Sequence, residues 1–225
     1  MALILHLETA TTNCSVGISK GEELLFLKEC NTPDYPHSEQ LHPFIKEALE
    51  GASLSFSDLD AVAVSKGPGS YTGLRIGVSA AKGICFSQDL PLIAIPTLEA
   101  LARQVEPQVG ELVIPVLDAR RMEVYSAVYD HNFREVRETR AEIVEAGSFG
   151  EYLGAHNVYF LGSGAQKIQE TVVGRNFSFD PSKVPSAAQM VTVAHRKFQA
   201  SKFEDIAYFE PYYLKDFLIQ AKKKP

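Results

Sequence analysis

Residues Ser65 to Gly83 read Ser-Lys-Gly-Pro-Gly-Ser-Tyr-Thr-Gly-Leu-Arg-Ile-Gly-Val-Ser-Ala-Ala-Lys-Gly and follow the apolar run Ala61, Val62, Ala63, Val64. The order is strand, glycine turn, helix. Pro68 fixes one backbone angle, Gly67 and Gly69 supply angles that side chains resist, and Ser70 stands where the cap of a helix beginning at Tyr71 belongs. Free N–H groups at such a helix start favour an anion, usually a phosphate. The alternative is a tight, capped strand-to-helix connection. Gly67, Gly69 and Ser70 are the phosphate candidates on the first reading.

Within the helix, Gly73, Gly77, Ala80, Ala81 and Ile84 stack on one face. Glycines inside a helix each cost about 1 kcal/mol relative to alanine, so close packing of another backbone is the expected compensation. The opposite face, with Leu74, Val78 and Phe86, is apolar as well, which predicts burial on both sides. One side lies on a sheet. The other is covered by the chain's own elements or by a partner.

The chain has 225 residues, 45% of them apolar, enough for one large or two small units with a sizeable core. Cys14, Cys30 and Cys85 are odd in number and lack Cys-x-x-Cys spacing, so neither a disulfide framework nor a zinc site is indicated. With no apolar run near the roughly 20 residues of a membrane span, a cytoplasmic protein is expected. A net charge of -6 argues against independent nucleic-acid binding. The basic cluster Lys222 to Lys224 reads as a solvated end.

Taken in order, Leu3–Thr9, Cys14–Lys20 and Glu22–Cys30 read as a three-strand meander. A turn-rich linker, Asn31–Pro36, leads to a helix from Ser38 with Leu41, Phe44, Ile45, Ala48 and Leu49 on its apolar face; Pro43 is expected to bend or delay its start. His37 and His42, five residues apart, point roughly 140° apart around a helix axis and do not suit one metal ion. Ser57–Lys66 reads as a strand, Tyr71–Gln88 as the central helix, Pro91–Ile95 as a strand, and Thr97 as the cap of a helix Leu98–Gln104. The boundary falls at Glu106–Gly110. Beyond it come strands Leu112–Leu117, Glu123–Tyr129 and Arg140–Val144, a short helix Ser148–Gly154, a strand Val158–Leu161 running into Gly162-Ser163-Gly164, and a long helix from Ser186 through Ala200. No sequence repeat is visible. Asp118-Ala119-Arg120-Arg121-Met122-Glu123-Val124-Tyr125 concentrates opposite charges at a turn, either as a local ion-pair network or with Arg120 or Arg121 facing a cleft between the two units.

Gly67-Pro68-Gly69-Ser70-Tyr71-Thr72-Gly73-Leu74-Arg75-Ile76-Gly77 resembles the hallmark of the TsaB family, also called YeaZ, of the bacterial machinery that makes threonylcarbamoyladenosine on tRNA. Asp118 to Tyr125 and Pro211-Tyr212-Tyr213-Leu214-Lys215 resemble two further family motifs, with Lys215 in place of arginine. Glu8-Thr9-Ala10-Thr11 matches the place where actin-like and Hsp70-like ATPases handle phosphate, with Glu8 where the family usually has aspartate; Glu8, Thr9 and Thr11 join the phosphate candidates.

The resemblance implies an α/β actin/Hsp70-like (ASKHA) fold of two α/β subdomains: residues 1–105, then 106–207, with about 208–225 packing back on the first. It implies a non-catalytic subunit without a metal that pairs with a TsaD homologue and a TsaE homologue, touches tRNA mainly through that complex, and meets ATP or ADP only there. Pairing would use the two helices, through Leu41, Phe44 and Ile45 on the first and Tyr71, Gly73, Leu74, Gly77, Ala80, Ala81 and Ile84 on the second; a homodimer through the same helices is the variant without partner. On that reading Gly77→Leu abolishes partner binding and leaves the monomer folded. Two other classes stand beside it: a free-standing ATPase or kinase-like protein, and a peptidase, for which no activated nucleophile or metal pair is visible.

Overall fold

The computed structural model describes residues 1–33, 37–152, 154 and 156–215. The meander is β1 (Leu3–Glu8), β2 (Asn13–Lys20) and β3 (Glu23–Asn31), with β4 (Ala61–Gly67) and β5 (Leu92–Pro96) added in parallel beyond β1, giving the order β3-β2-β1-β4-β5. The second sheet holds β6 (Leu112–Asp118), β7 (Glu123–Tyr129), β8 (Glu135–Ile143), β9 (Val158–Leu161) and β10 (Phe177–Asp180), in the order β8-β7-β6-β9-β10. Its pairings run antiparallel, antiparallel, parallel, parallel, as in the first sheet. The same topology is thus built twice from unlike sequences, because strand alternation and turn chemistry specify it without residue identity.

Alternation along the strands sorts the core. Leu5, Leu7, Val62 and Val64 point to one face of the first sheet, where α1 (His37–Gly51) and α2 (Tyr71–Gln88) cover them. Ile4, Ala61, Ala63 and Ile93 point to the other, against α5 (Ala187–Gln199). The small α3 (Thr97–Ala102) is wedged between the sheets: Ala100 packs with the first, Leu98 and Leu101 with Val113, Ala127 and Leu161 of the second. Both the wedge and the return differ from the expected division. Residues just before 105 help to close the second sheet, and the chain comes back to the first sheet at α5, before 208; residues 216–225, including Lys222 to Lys224, lie outside the described residues.

Several local expectations are corrected. α1 begins at His37 and runs through Pro43, since one absent N–H is outweighed by a buried face of Leu41, Phe44, Ile45, Ala48 and Leu49. The expected strand 57–66 starts only at Ala61, after a 3-10 turn Phe56–Asp58 closed by Asp58 on the Ser55 N–H at 2.7 Å. Thr97 does not cap α3; its Oγ1 accepts from the Gly67 N–H at 3.1 Å. β8 begins at Glu135, and the expected helix 148–154 consists of turns in its described part, Leu153 being outside it. The Gly162–Gly164 turn opens α4 (Ala165–Thr171), which, with β10, the sequence did not suggest. Residues 34–36 of the expected linker lie outside the described residues. Among the described residues, no helix is long and apolar enough to cross a membrane.

Candidate functional site

The glycine turn sits where three segments converge. Gly67 has φ +110°, and a Cβ there would lie 2.8 Å from the Tyr212 carbonyl oxygen; one on Gly69 would lie 2.3 Å from that of Ala10. The Gly67–Pro68 peptide is cis. Gly67 N–H donates to Thr97, Ser70 N–H to the Ala10 carbonyl at 2.7 Å, and Gly73 N–H to the capping Ser70 Oγ at 3.2 Å. Three amides that would have to be free for a phosphate are therefore bonded within the chain, as in the capped-connection reading.

The glycine face of α2 has the same explanation. A Cβ on Gly73 would stand 2.1 Å from the Thr9 carbonyl oxygen, and one on Gly77 2.3 Å from Thr9 Oγ1. Thr9 Oγ1 donates to the Gly73 carbonyl at 2.8 Å. The segment that comes close is this chain's own Thr9, directly after β1, not a partner's backbone. Leu41, Phe44, Ile45, Leu74 and Ala81 are likewise buried inside the monomer, so as side chains they cannot form a contact surface. Only Tyr71 and Ile84, half-buried, and Ala80, at the edge of a groove, remain accessible among the expected contact residues.

Glu8, at the end of β1, is fully buried; its Oε1 accepts from Ala10 N–H at 2.6 Å and its Oε2 has no partner among the described residues. Burial pushes its carboxyl up to about 7, against the lowering effect of the Ala10 N–H, the Ser65 hydroxyl and the Thr9 N–H. Thr11 contributes its carbonyl, which accepts from His37 Nε2 at 2.7 Å. His42 lines the groove on α1's outer face, so the two histidines do not meet.

The sign for Glu8 follows from its raised value. The folded state holds this proton more tightly than the unfolded one, so stability from this group is full below about pH 4.5 and is lost as pH rises through 7. Glu8→Gln removes the dependence: its stability relative to wild type is expected to grow by roughly 3 kcal/mol from about pH 5 to pH 8. Denaturant unfolding at both pH values checks this; a difference that stays constant would contradict it.

Arg120 and Arg121 occupy positive-φ positions (70° and 52°) in the exposed β6–β7 turn. Asp118 Oδ1 accepts from Arg120 N–H at 2.6 Å and from Lys167 Nζ at 2.8 Å. Glu123 pairs with Lys215, whose ammonium lies 5.9 Å from the Tyr125 ring centroid. The local ion network is thus present, and it also receives the C-terminal segment. Tyr212 N–H donates to the Lys66 carbonyl at 2.7 Å, Tyr213 packs on Tyr71 with centroids 5.0 Å apart, and Lys82 Nζ donates to the Ala207 and Phe209 carbonyls at 3.3 and 3.1 Å. The three sequence motifs, far apart in the chain, are stitched together by this strap.

What the monomer leaves open is the other side of α2. Thr72, Arg75, Ser79, Gly83 and Phe86 are exposed at spacings of three and four, Phe86 at 84%, and a Cβ on Gly83 would meet nothing within 4 Å. Beside them a groove of about 670 Å³ runs between α1 and α2, lined by Ser38, His42, Tyr71, Arg75, Ile76 and Ser79. Arg75 is held there by its bond to the Tyr71 hydroxyl at 2.8 Å, its guanidinium 5.4 Å from that ring. Thr72, Arg75, Ser79 and Gly83 were not among the contact residues expected from the sequence, although their helical spacing was readable; the denser glycine face drew the assignment.

A family model described as TsaD, tRNA N6-adenosine threonylcarbamoyltransferase, matches residues 34–223. The chain is 30% identical over 223 residues to the tRNA threonylcarbamoyladenosine biosynthesis protein TsaB of Haemophilus influenzae, covering 95% of this chain and 93% of that protein. To the Escherichia coli protein of the same description it is 29% identical, covering 95% and 94%. The solved structure of YeaZ from Pseudomonas aeruginosa is similar with a TM-score of 0.85 at 25% identity, over 95% of this chain and 100% of that one.

Proposed function

We infer the role of this chain from the family to which it belongs, the TsaB (YeaZ) proteins of actin/Hsp70-like α/β fold: it serves in threonylcarbamoyladenosine formation on tRNA, as the non-catalytic subunit that pairs with a TsaD homologue. The observation that carries the pairing is the open face of α2. Ser79, Ala80 and Gly83 keep that face low, Gly83 has empty space above it, and the groove toward α1 offers room for side chains of a second helix pair. Small residues let two helices approach closely, and a partner buries such a surface best with helices of its own.

The partner reading differs from the expected one in its residues. Thr72, Arg75, Ile76, Ser79, Gly83 and Phe86 of α2, with Ser38 and His42 of α1, form the contact, while the glycine face holds the monomer together. A TsaE homologue joins the pair, and ATP or ADP and the tRNA are engaged in the assembled complex, in the cytoplasm. The Gly67, Ser70 and Gly73 amides of the glycine turn are taken up by bonds within the chain, and nucleotide chemistry is assigned to the partners. Sedimentation of the chain mixed with its TsaD homologue is expected to give a one-to-one complex; two species sedimenting independently at micromolar concentration would reject the pairing.

A further inference from the structure

β2 and β3 place two cysteines directly opposite each other. Their register pairs Cys14 with Cys30, although the spacing of the two in the chain carries no motif. Directly opposed residues of an antiparallel pair have Cα atoms about 4.5 or 5.5 Å apart, depending on their place in the ladder, and Cβ atoms on one face. Both separations fall in the range that a disulfide spans, about 4.4–6.8 Å between Cα atoms. Bonds on either strand end hold the register here: Thr12 Oγ1 donates to Asn31 Oδ1 at 2.7 Å, and Asn13 Nδ2 to Glu29 Oε1 at 3.0 Å. Both cysteines face the apolar layer under α1, with Leu41, Phe44 and Ile45.

The two thiols differ in access. Cys14 is fully buried, and burial, with Cys30 and Glu8 near it, pushes its thiol up to about 12. Cys30 is half-buried and lies on β3, the outermost strand of its sheet. Thiol exchange begins at a sulfur that a reagent can reach, which here is Cys30. The third cysteine, Cys85, stands apart. Its Sγ donates to the Pro91 carbonyl at 3.7 Å at the β4–β5 end of the sheet, with β1 between it and the pair.

We propose that Cys14 and Cys30 are a redox modification site, closing reversibly to a cross-strand disulfide in response to small-molecule disulfides of the glutathione class. The Cys30 thiolate attacks one sulfur of the oxidant, the oxidant's S–S bond breaks, and one small thiol leaves a mixed disulfide on Cys30. Cys14, giving its proton to the departing thiolate, then attacks Cys30 Sγ, and the second small thiol leaves. The cysteine pair loses two electrons and two protons; the oxidant becomes two thiols. Excess dithiol runs the exchange backwards.

The test is exposure of the reduced full chain to excess oxidised glutathione, followed by denaturation, alkylation of the remaining thiols and mass mapping of peptides. Wild type is expected to fall from three alkylated cysteines to one, Cys85, with one linked peptide pair joining Cys14 to Cys30, and to return to three after dithiothreitol. Cys14→Ala, which keeps a small apolar side chain in the core, is expected to stop at glutathione on Cys30. Cys30→Ser, at the half-buried position, is expected to leave Cys14 and Cys85 alkylated, and it gives a second reading if the first variant does not fold. Three alkylated cysteines in oxidised wild type, a mixed disulfide on Cys30 that does not close, or a bond that includes Cys85 would overturn the proposal.

Discussion

Gly73→Ala is expected to lower stability by roughly 2 kcal/mol, while Gly83→Ala in the same helix raises it by about 1 kcal/mol. Both changes carry the same intrinsic gain in helix propensity, so the difference isolates what surrounds each residue. At Gly73 the new carbon would stand 2.1 Å from the carbonyl oxygen of Thr9, just after β1, a backbone atom that cannot swing aside as a flexible side chain would. The helix has to lift from the sheet, disturbing the Thr9 Oγ1 bond and the packing of Val78 and Ala81 on Val62 and Val64. At Gly83 the carbon enters open space. Thermal melts should separate the two by about 6–12 °C for a chain of this size. Similar melting temperatures for both variants would show that the close approach of α2 to β1 is not a requirement of the fold. Gly77→Leu follows the same logic. A side chain there meets Thr9 Oγ1 at 2.3 Å from its first carbon, so the variant is expected to damage the monomer, and loss of partner binding by it would say nothing about the interface.

Ser79→Arg is the change expected to separate binding from folding. Ser79 is exposed, lies midway along the open stripe of α2, and lines the groove. Arginine is a good helix former, so the free chain should melt within a degree or two of wild type. In the complex its long charged side chain would occupy the place of a partner helix. Affinity for the TsaD homologue is expected to fall at least about a hundredfold, or roughly 3 kcal/mol, as for changes at the centre of an interface. Calorimetric titration of wild type and variant reads this directly. Unchanged affinity would remove α2 from the contact and leave the groove without its assigned occupant.

Much of this organisation was legible in the chain. The turn chemistry of Gly67 to Ser70 fixed where α2 begins, because a capping serine after a Pro-Gly pair leaves few alternatives. The apolar runs at Leu3 to Leu7 and Ala61 to Val64 read as strands, and both are strands in the structure, covered on both faces. The direction of the glycine face was not legible. Gly73, Gly77 and Ala81 declare only that something approaches closely, and whether Thr9 after β1 or another protein does so depends on how α2 lies against the end of β1, set by contacts far apart in sequence. The same holds for the C-terminal strap: Lys215 and Glu123 look like ordinary surface charges until the fold brings them together. α4 and β10 escaped notice because each is short, and the aromatic packing of Phe160, Phe177 and Phe179 that stabilises β10 is tertiary rather than periodic.

The functional reading rests on one requirement, that modification of tRNA depends on this chain without residing in it. The decisive measurement is reconstitution of threonylcarbamoyladenosine on unmodified tRNA from threonine, bicarbonate and ATP, using the other proteins of the pathway with wild-type chain, with Ser79→Arg, and with none. The expected result is product only with wild type, and no product from the chain alone. Equal product in all three arms, or product formed by the chain without a TsaD homologue, would contradict the account.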